Sequence, residues 1–261
     1  MYLDYDADAT ARIPTAAGIT TNLDVAANTV AVALVHSFEQ KVLGGANLTV
    51  VAALPYTHLD ISGTVELPGG GSVARGNSVS GLGDLTLIPA MLAWKRDAWT
   101  FNAMLPIYAP TGSYELGRLG NPGLNYWTVD PTAGFVYSTK KGFSGMLHMG
   151  YAMNSENPDT NYQSGSMLHL EGTLEQILPA GKGLLALGVE GFYFEQLTGD
   201  SGAGATLGDF KGKTSGFGPL IGYIRPMGKQ NLVLEAKWLT EQDTKNRVSG
   251  DMVWLKAVYK F

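Results

Sequence analysis

Two histidines are the residues best placed to carry chemistry in this sequence. His148 and His169 lie at nearly equal distances on either side of a polar stretch around Pro158, and Glu171 follows two residues after the second. Imidazole and carboxylate groups bind metals and transfer protons when a fold brings them together. The same spacing also fits a polar network on the wet face of two neighbouring strands, which is the simpler interpretation.

Other signs of catalysis are absent from the sequence. It contains no H-E-x-x-H, no P-loop and no G-x-S-x-G. It has no cysteine, which excludes disulfides, thiolate nucleophiles and cysteine metal sites. We therefore predict a non-enzyme with no catalytic residue, metal or cofactor. A formal net charge of −5 argues against nucleic acid as a partner.

The final residues alternate between two different faces, as in a β-strand. One row is wholly apolar and ends in two aromatics: Val253, Leu255, Ala257, Tyr259 and Phe261. The other carries two lysines: Met252, Trp254, Lys256, Val258 and Lys260. Membrane barrels have this pattern, with lipid outside and a more polar interior. Tyr259 and Phe261 resemble the assembly signal of bacterial outer-membrane proteins, which implies the barrel-assembly machinery as a partner.

Composition supports a membrane barrel. Charged residues make up only 16% of the chain, against about a quarter in soluble domains. No stretch approaches the roughly 18 apolar residues of a membrane helix. A spanning form must therefore be a closed barrel, because lipid offers no partner to an open sheet edge. The alternative is a soluble β-sandwich with the aromatics in its core.

Short turns and long loops alternate along the chain, as in membrane barrels. The predicted strands are 26–40, 47–63, 83–95, 98–109, 125–139, 143–154, 163–178, 184–197, 214–225, 232–238 and 251–261. Single-chain barrels have an even number of strands, so residues 2–9 supply one more, with 10–25 as the first outer loop. Asp4, Asp6 and Asp8 are expected to face the lumen. We predict one all-β domain over 1–261, a transmembrane antiparallel barrel of about 12 strands with short periplasmic turns and long extracellular loops. No signal peptide precedes this pattern, so we expect a mature or trimmed chain.

Three motifs occur in a fixed order over residues 81–131. They are G-x-G-D-x-x-x-x-P from Gly81, P-T-G-x-Y from Pro110, and N-x-G-x-N from Asn121 with a following Asp130-Pro131. This ordered set resembles a family of outer-membrane channels named for a meta-pathway of phenol degradation, which includes a sphingosine-uptake channel. The resemblance implies a twelve-stranded barrel in a Gram-negative outer membrane that takes up small hydrophobic compounds.

The motif residues are candidates for shaping the barrel mouth. They are Asp84, Pro110, Thr111, Gly112, Tyr114, Asn121, Asn125 and Asp130. Turn chemistry is the simplest role for the glycines, proline and asparagines. Asp84 and Asp130 lie at predicted outer ends of neighbouring strands, where each could bond a loop folded into the mouth.

Four prolines, Pro55, Pro89, Pro106 and Pro131, lie inside four consecutive predicted strands. Proline cannot donate to a sheet ladder and is normally kept to edges or bulges. A closed barrel has no edge, so each proline leaves a carbonyl unpaired or forces a bulge. We consider two interpretations: a lateral gate in this wall, or barrel curvature alone.

The lumen is expected to be narrow and partly charged. Its predicted lining is Glu171, Glu190, Phe192, Phe194, Glu235, Lys237, Trp254 and Lys256. Opposite charges on adjacent strands should pair, and we favour pairing and hydration over a role in ion selectivity.

The predicted function is passive uptake of small hydrophobic or amphipathic molecules, with outer-membrane lipid as the surroundings and lateral exit as one route. A narrow diffusion porin is one alternative. An outer-membrane lipid-modifying enzyme is another, but it would need a lipid-facing Ser–His pair, and both His148 and His169 are predicted to face inwards.

Overall fold

The computed structural model describes residues 1–13, 19–67, 71–206, 211–228 and 230–260. Phe261 of the predicted assembly signal lies outside these ranges, as does the side chain of Asp8. Within them, no helix is long and apolar enough to cross a membrane.

Fifteen strands lie in the described ranges, and all of their pairings are antiparallel. They are β1 (Tyr2–Ile13), β2 (Ile19–Val42), β3 (Ala46–Leu67), β4 (Gly71–Leu82), β5 (Leu85–Arg96), β6 (Trp99–Met104), β7 (Ile107–Ala109), β8 (Thr128–Val129), β9 (Thr132–Ser138), β10 (Phe143–Asn154), β11 (Met167–Ala180), β12 (Gly183–Gln196), β13 (Lys213–Met227), β14 (Gln230–Lys245) and β15 (Ser249–Lys260).

The strands form a closed ring, because β15 pairs with β1. Three pairs of short strands act as single interrupted spans. β4 and β5 both pair with β3, β6 and β7 both pair with β5, and β8 and β9 both pair with β10. The ring therefore has twelve spans, which confirms the predicted antiparallel barrel.

Two hairpins extend further than the sequence predicted. β1 and β2 stay paired as far as Ile13 and Ile19, and β3 and β4 as far as Leu67 and Gly71. The expected loop at 10–25 is therefore largely strand, and so is much of the segment after 63. Threonine and alanine are frequent in the first region and glycine and serine in the second. Such compositions hide strand pairing that needs no apolar face.

The two faces of the wall follow from pairing, since directly opposite residues point to the same side. Lys237 pairs with Trp254 on the inner face, whereas Val253 and Leu255 are exposed on the outer face. Asp4 pairs with Val253, and Asp6 lies on the same side of β1. The prediction that Asp4 and Asp6 face the lumen is thus wrong.

The row of β1 that faces the lumen is the one that contains Tyr5. Its Tyr5 hydroxyl donates to the Glu241 carboxylate at 2.7 Å. The period of two in residues 2–9 separates the two rows correctly, since the aspartates alternate with a mainly apolar row. The expectation that the acidic row faces the lumen fails, because Asp4 pairs with the outward-facing Val253. Only the neighbouring strand decides which row turns inwards.

Candidate functional site

A charged wall lines one half of the lumen, on β10 to β15. Its centre is Lys237, whose Nζ lies 2.5 Å from Glu190 Oε1 and 3.9 Å from Glu171 Oε1. The same Nζ lies 5.3 Å from the centre of the Trp254 ring. The Glu190 side chain is only 5% exposed, so its charge depends on this lysine.

Further contacts continue this wall towards both ends. Lys256 Nζ lies 2.8 Å from Glu235 Oε1, on directly paired positions of β14 and β15. Arg247, in the connection between those strands, lies 4.7 Å from the centre of the Phe194 ring. Pairing places all eight predicted lining residues on the inner face: Glu171, Glu190, Phe192, Phe194, Glu235, Lys237, Trp254 and Lys256.

The opposite half of the lumen is an apolar wall. The inner side chains of β3 include Val51 and Ala53, which pair with Ile88 and Thr86 of β5. Further residues on this face are Met91, Ala93 and Met104. Between Thr86 and Ala93, the inner residues of β5 carry no charge. The lumen is therefore two-sided. Ion pairs lie on β11 to β15, whereas β3, β5 and β6 present aliphatic and methionine side chains among uncharged polar ones such as Thr49, Thr86 and Asn102.

Three prolines weaken the ladder of the apolar wall. The carbonyl oxygens of Pro55, Pro106 and Pro131 accept hydrogen bonds from the amides of Gly83 (2.9 Å), Asp130 (2.9 Å) and Tyr151 (3.2 Å). In such antiparallel pairs the two residues normally exchange two bonds. Proline has no N–H to return, so each pair keeps one bond of two.

The fourth proline lies at a bulge. Leu87 pairs with Ile107, but Met91 pairs with Met104, so β5 carries one residue more than its partner across Pro89. The pairing of β5 with β3 shifts at the same level. Such an extra residue bends the strand and locally disrupts its ladder. The four predicted gate prolines therefore lie in neighbouring spans, and we call this region the proline wall.

Another proline lies within the charged wall. Pro219 is inside β13, and the paired positions of β13 and β14 stop at Phe217 and resume at Leu220. β13 nevertheless remains one strand from Lys213 to Met227. Pro219 therefore leaves its strand intact, as Pro55 leaves β3, whereas Pro106 and Pro131 lie where their own spans are interrupted.

The loop at 110–127 is tied to the barrel by Asp84. The carboxylate accepts from the amide of Gly112 at 2.9 Å and from the amide of Leu124 at 2.8 Å. Thr111 adds a bond, since its hydroxyl accepts from the amide of Leu85 at 3.0 Å. One half-buried carboxylate therefore holds the first and last parts of the loop together.

Close backbone contact explains the glycines of the motifs. A Cβ on Gly112 would lie 2.7 Å from Gly123 Cα and 2.8 Å from the Gly83 carbonyl carbon. A Cβ on Gly120 would lie 2.7 Å from Leu59 on the inner face of β3. The loop therefore folds into the mouth against β3, and the three motifs meet at one crossing.

The remaining motif residues stabilise this loop. The Asn121 side chain bonds both the amide and the carbonyl of Glu115, at 2.9 and 3.1 Å. Asn125 has a left-handed φ of 60°, and its Nδ2 donates to Asn157 and Asp159 at 3.1 and 3.0 Å. Pro110 begins the loop, and Tyr114 lies within it with a partly buried side chain.

A second loop cluster at the same end gave no signal in the sequence. Asp200 accepts from the amide of Gly165 at 3.0 Å, from Gln196 Nε2 at 2.6 Å, and from the Tyr162 hydroxyl. Burial, followed by the bond to Asp200, raises the pKa of Tyr162 above its usual value. Nothing in the local spacing of these residues indicates that they meet.

The two histidines differ in their partners. His169 Nε2 lies 2.9 and 3.0 Å from the two carboxylate oxygens of Asp130. Asp130 thus binds a histidine rather than the mouth loop. His148 also faces inwards, opposite Glu171 in the pairing of β10 and β11. In the part of the chain that the structure describes, no three such side chains are arranged to hold a metal ion.

Comparisons with known proteins agree with this architecture. No curated protein matches the chain. The crystal structure of an outer membrane channel from Pseudomonas putida F1 superposes with a TM-score of 0.59 and 17% identity, over 98% of this chain and 94% of that one. At this identity the similarity shows a shared fold. The family model described as "Putative MetA-pathway of phenol degradation" matches residues 9–257. The chain therefore belongs to that family.

Proposed function

We propose that this protein is a bacterial outer-membrane channel for passive uptake of small hydrophobic or amphipathic molecules. A closed barrel with exposed outer side chains such as Val189, Phe217, Ile221 and Leu255 suits a bilayer. The similar barrel from Pseudomonas putida F1 is itself an outer membrane channel. Short turns would face the periplasm and the bonded loops the exterior.

The observation that carries the proposal is the proline wall. It combines apolar inner residues on β3 and β5 with single rather than double bonds at Pro55, Pro106 and Pro131. An apolar molecule that leaves sideways stays out of water, a gain of about 0.8 kcal/mol per buried CH₂. Sideways exit needs strands that separate locally, and each of these pairs has one bond to break instead of two. We therefore place the exit in this wall.

The charged wall fits a different task. Lys237 and Lys256 sit in a face that also holds Glu171, Glu190 and Glu235. Such a face hydrates readily and orients the polar end of an amphipathic molecule, while the apolar wall contacts the rest. General diffusion porins have more strands and wider lumens, so we expect slow passage of sugars.

A non-catalytic role fits the placement of the histidines. A barrel enzyme acting on membrane lipid needs its nucleophile and base on the outer face. His148 and His169 lie on inner rows, and His169 is bonded to Asp130. We assign neither to catalysis.

The proposed partners are outer-membrane lipid and the barrel-assembly machinery. Tyr259, on the outer face near the end of β15, donates a hydrogen bond to Gln230. We propose that Tyr259 and Phe261 form the recognition signal. Deleting Phe261 should then impair assembly in cells while leaving the refolded barrel intact, and equal loss in both settings would contradict recognition.

Transport in liposomes tests the proposal. Purified protein should accelerate entry of a radiolabelled apolar aromatic compound, whereas swelling in sugars should stay close to that of empty liposomes. Fast sugar flux with large, steady conductance would instead identify a diffusion porin. Hydrolysis of liposome phospholipid would identify a lipid-modifying enzyme.

A further inference from the structure

Asp130 occupies the point where the proline wall is weakest. It lies in the gap between β8 and β9, directly before Pro131. Its amide donates to the Pro106 carbonyl at 2.9 Å. Its own carbonyl, which receives no bond from Pro106, accepts from the Thr132 hydroxyl at 3.1 Å. The two single-bonded pairs of this region, at Pro106 and Pro131, therefore both lie next to Asp130.

The Asp130 side chain reaches across a whole strand. Its carboxylate meets His169 Nε2 at 2.9 and 3.0 Å, although β10 lies between β9 and β11. The contact passes over Gly150, where a Cβ would lie only 2.1 Å from His169 Nε2. Glycine at this position therefore permits a side-chain bond between spans that are not neighbours.

Burial strengthens the contact. The Asp130 side chain is 8% exposed and that of His169 30%. A buried carboxylate needs a donor, and hydrogen bonds to charged groups are the stronger class. The pair thus links the interrupted span to β11, whose pairings with β10 and β12 are continuous.

We propose that Asp130 and His169 form a clasp that holds the proline wall closed, so that separating them opens the wall beside Pro131. This rests on the proposed function in treating that wall as the exit, but the clasp itself is a claim about wall opening. Both residues act as positioning residues, through the backbone of β8 and β9. The bond between Asp130 and His169 substitutes for the backbone hydrogen bonds that Pro106 and Pro131 cannot donate.

A cysteine reporter measures wall opening directly. The chain has no cysteine, so Ile88→Cys places a single thiol on the inner face of β5, beside the bulge. In liposomes, a maleimide dissolved in the lipid reaches this thiol only through an opened wall. His169→Phe keeps a ring but removes the bonds, and should speed labelling about tenfold, the factor for losing one charge-assisted hydrogen bond. His169→Gln retains a donor and should restore slow labelling.

A matched control separates the clasp from general weakening. Glu235→Gln disrupts the Lys256 pair on the charged wall, and should leave labelling of Cys at position 88 unchanged. If His169→Phe does not fold, Asp130→Asn, which keeps the side-chain size, decides the matter in the same assay. Unchanged labelling in the folded clasp variant, or equal acceleration by Glu235→Gln, overturns the clasp.

Apolar uptake distinguishes failure of the clasp from failure of the proposed function. Faster labelling together with faster uptake supports both. Faster labelling with unchanged uptake leaves the clasp in place and refutes lateral exit. A third outcome is that the clasp variant shows unchanged labelling, while a crosslink across the proline wall blocks uptake. This outcome refutes the clasp and leaves lateral exit in place.

Discussion

The charged wall and the proline wall belong to one barrel but are built from different kinds of strand and different inner side chains. β10 to β15 are uninterrupted strands of 12 to 16 residues, and they carry Lys237 and its carboxylates. The three spans from β4 to β9 are each interrupted, and the inner face of β5 is uncharged between Thr86 and Ala93. The pairs of Lys237 and Lys256 therefore lie on uninterrupted strands, whereas the Asp130–His169 pair joins an interrupted span to β11.

This division has a physical reason. A buried ion pair offsets its desolvation only with good geometry, and the uninterrupted strands β12 and β14 hold that geometry for Lys237 and Glu190. Aliphatic contacts are non-directional, so a wall lined by Val51, Ile88 and Met104 tolerates shifts that would break Lys237 from Glu190. The proposed exit through the proline wall is compatible with this lining, and the Asp130–His169 pair is the ion pair beside Pro131.

The largest effect should come from breaking the charged wall at its centre. Lys237→Met leaves Glu190 buried without its cation, which should cost about 3–5 kcal/mol of the free energy of unfolding. Urea unfolding of the barrel in detergent measures this. Lys237→Met with Glu190→Leu should recover most of the loss. Lys256→Met, at a pair whose lysine is 41% exposed, should cost only about 0–1 kcal/mol.

A smaller and local effect should follow loss of Asp84, which ties the loop at 110–127 to the barrel. Asp84→Ala removes the acceptor for Gly112 and Leu124, at a cost of about 1.5–3 kcal/mol. Amide hydrogen exchange in residues 110–127 should rise while β10 to β15 stay protected. Asp243→Ala, which removes an exposed pair with Lys213, is the control. Global loss of protection in Asp84→Ala would mean that the loop supports the whole barrel.

The smallest change in stability should accompany proline replacement. In Pro106→Ala with Pro131→Ala, each new N–H gains about 0.5–1.5 kcal/mol, but losing each proline costs about 0.4–1 kcal/mol through the unfolded chain. The free energy of unfolding should thus change little, while uptake of apolar compounds falls. Pro219→Ala should leave uptake unchanged. Equal loss of uptake in both proteins would remove the distinction between the walls.

The sequence predicted the barrel because its signals are local. Alternation in the final strand and the positions of turns are readable within ten residues, and they led to twelve spans. The same rule separated the inner lining from Val253 and Leu255. It failed for Asp4 and Asp6, because the acidic row of β1 turns outwards, and only the pairing with β15 shows which row faces the lumen.

Contacts between distant residues were beyond such reasoning. Asp84 was a candidate for holding the mouth loop, but its two acceptor bonds required three glycine backbones to meet. Asp130 was given the same role, and instead binds His169 across Gly150. No periodic pattern encodes a bond that skips a strand, because it depends on the register of three strands and on one missing side chain.

Crosslinking across each wall shows whether apolar molecules leave the barrel sideways through the proline wall. Ala103 and Ala133 are outer-face partners below Pro106, where non-hydrogen-bonded pairs approach to about 4.5 Å between Cα atoms, within disulfide range. Leu187 and Ile221 are the equivalent pair between β12 and β13 of the charged wall. Each pair is replaced by cysteines, and uptake of an apolar compound into liposomes is compared before and after reduction.

If exit is lateral, the Ala103–Ala133 crosslink should abolish apolar uptake reversibly, while small-ion conductance along the axis persists. The Leu187–Ile221 crosslink should change neither quantity. Native-rate uptake through a fully crosslinked proline wall would contradict lateral exit, and the prolines would then serve only to bend the barrel.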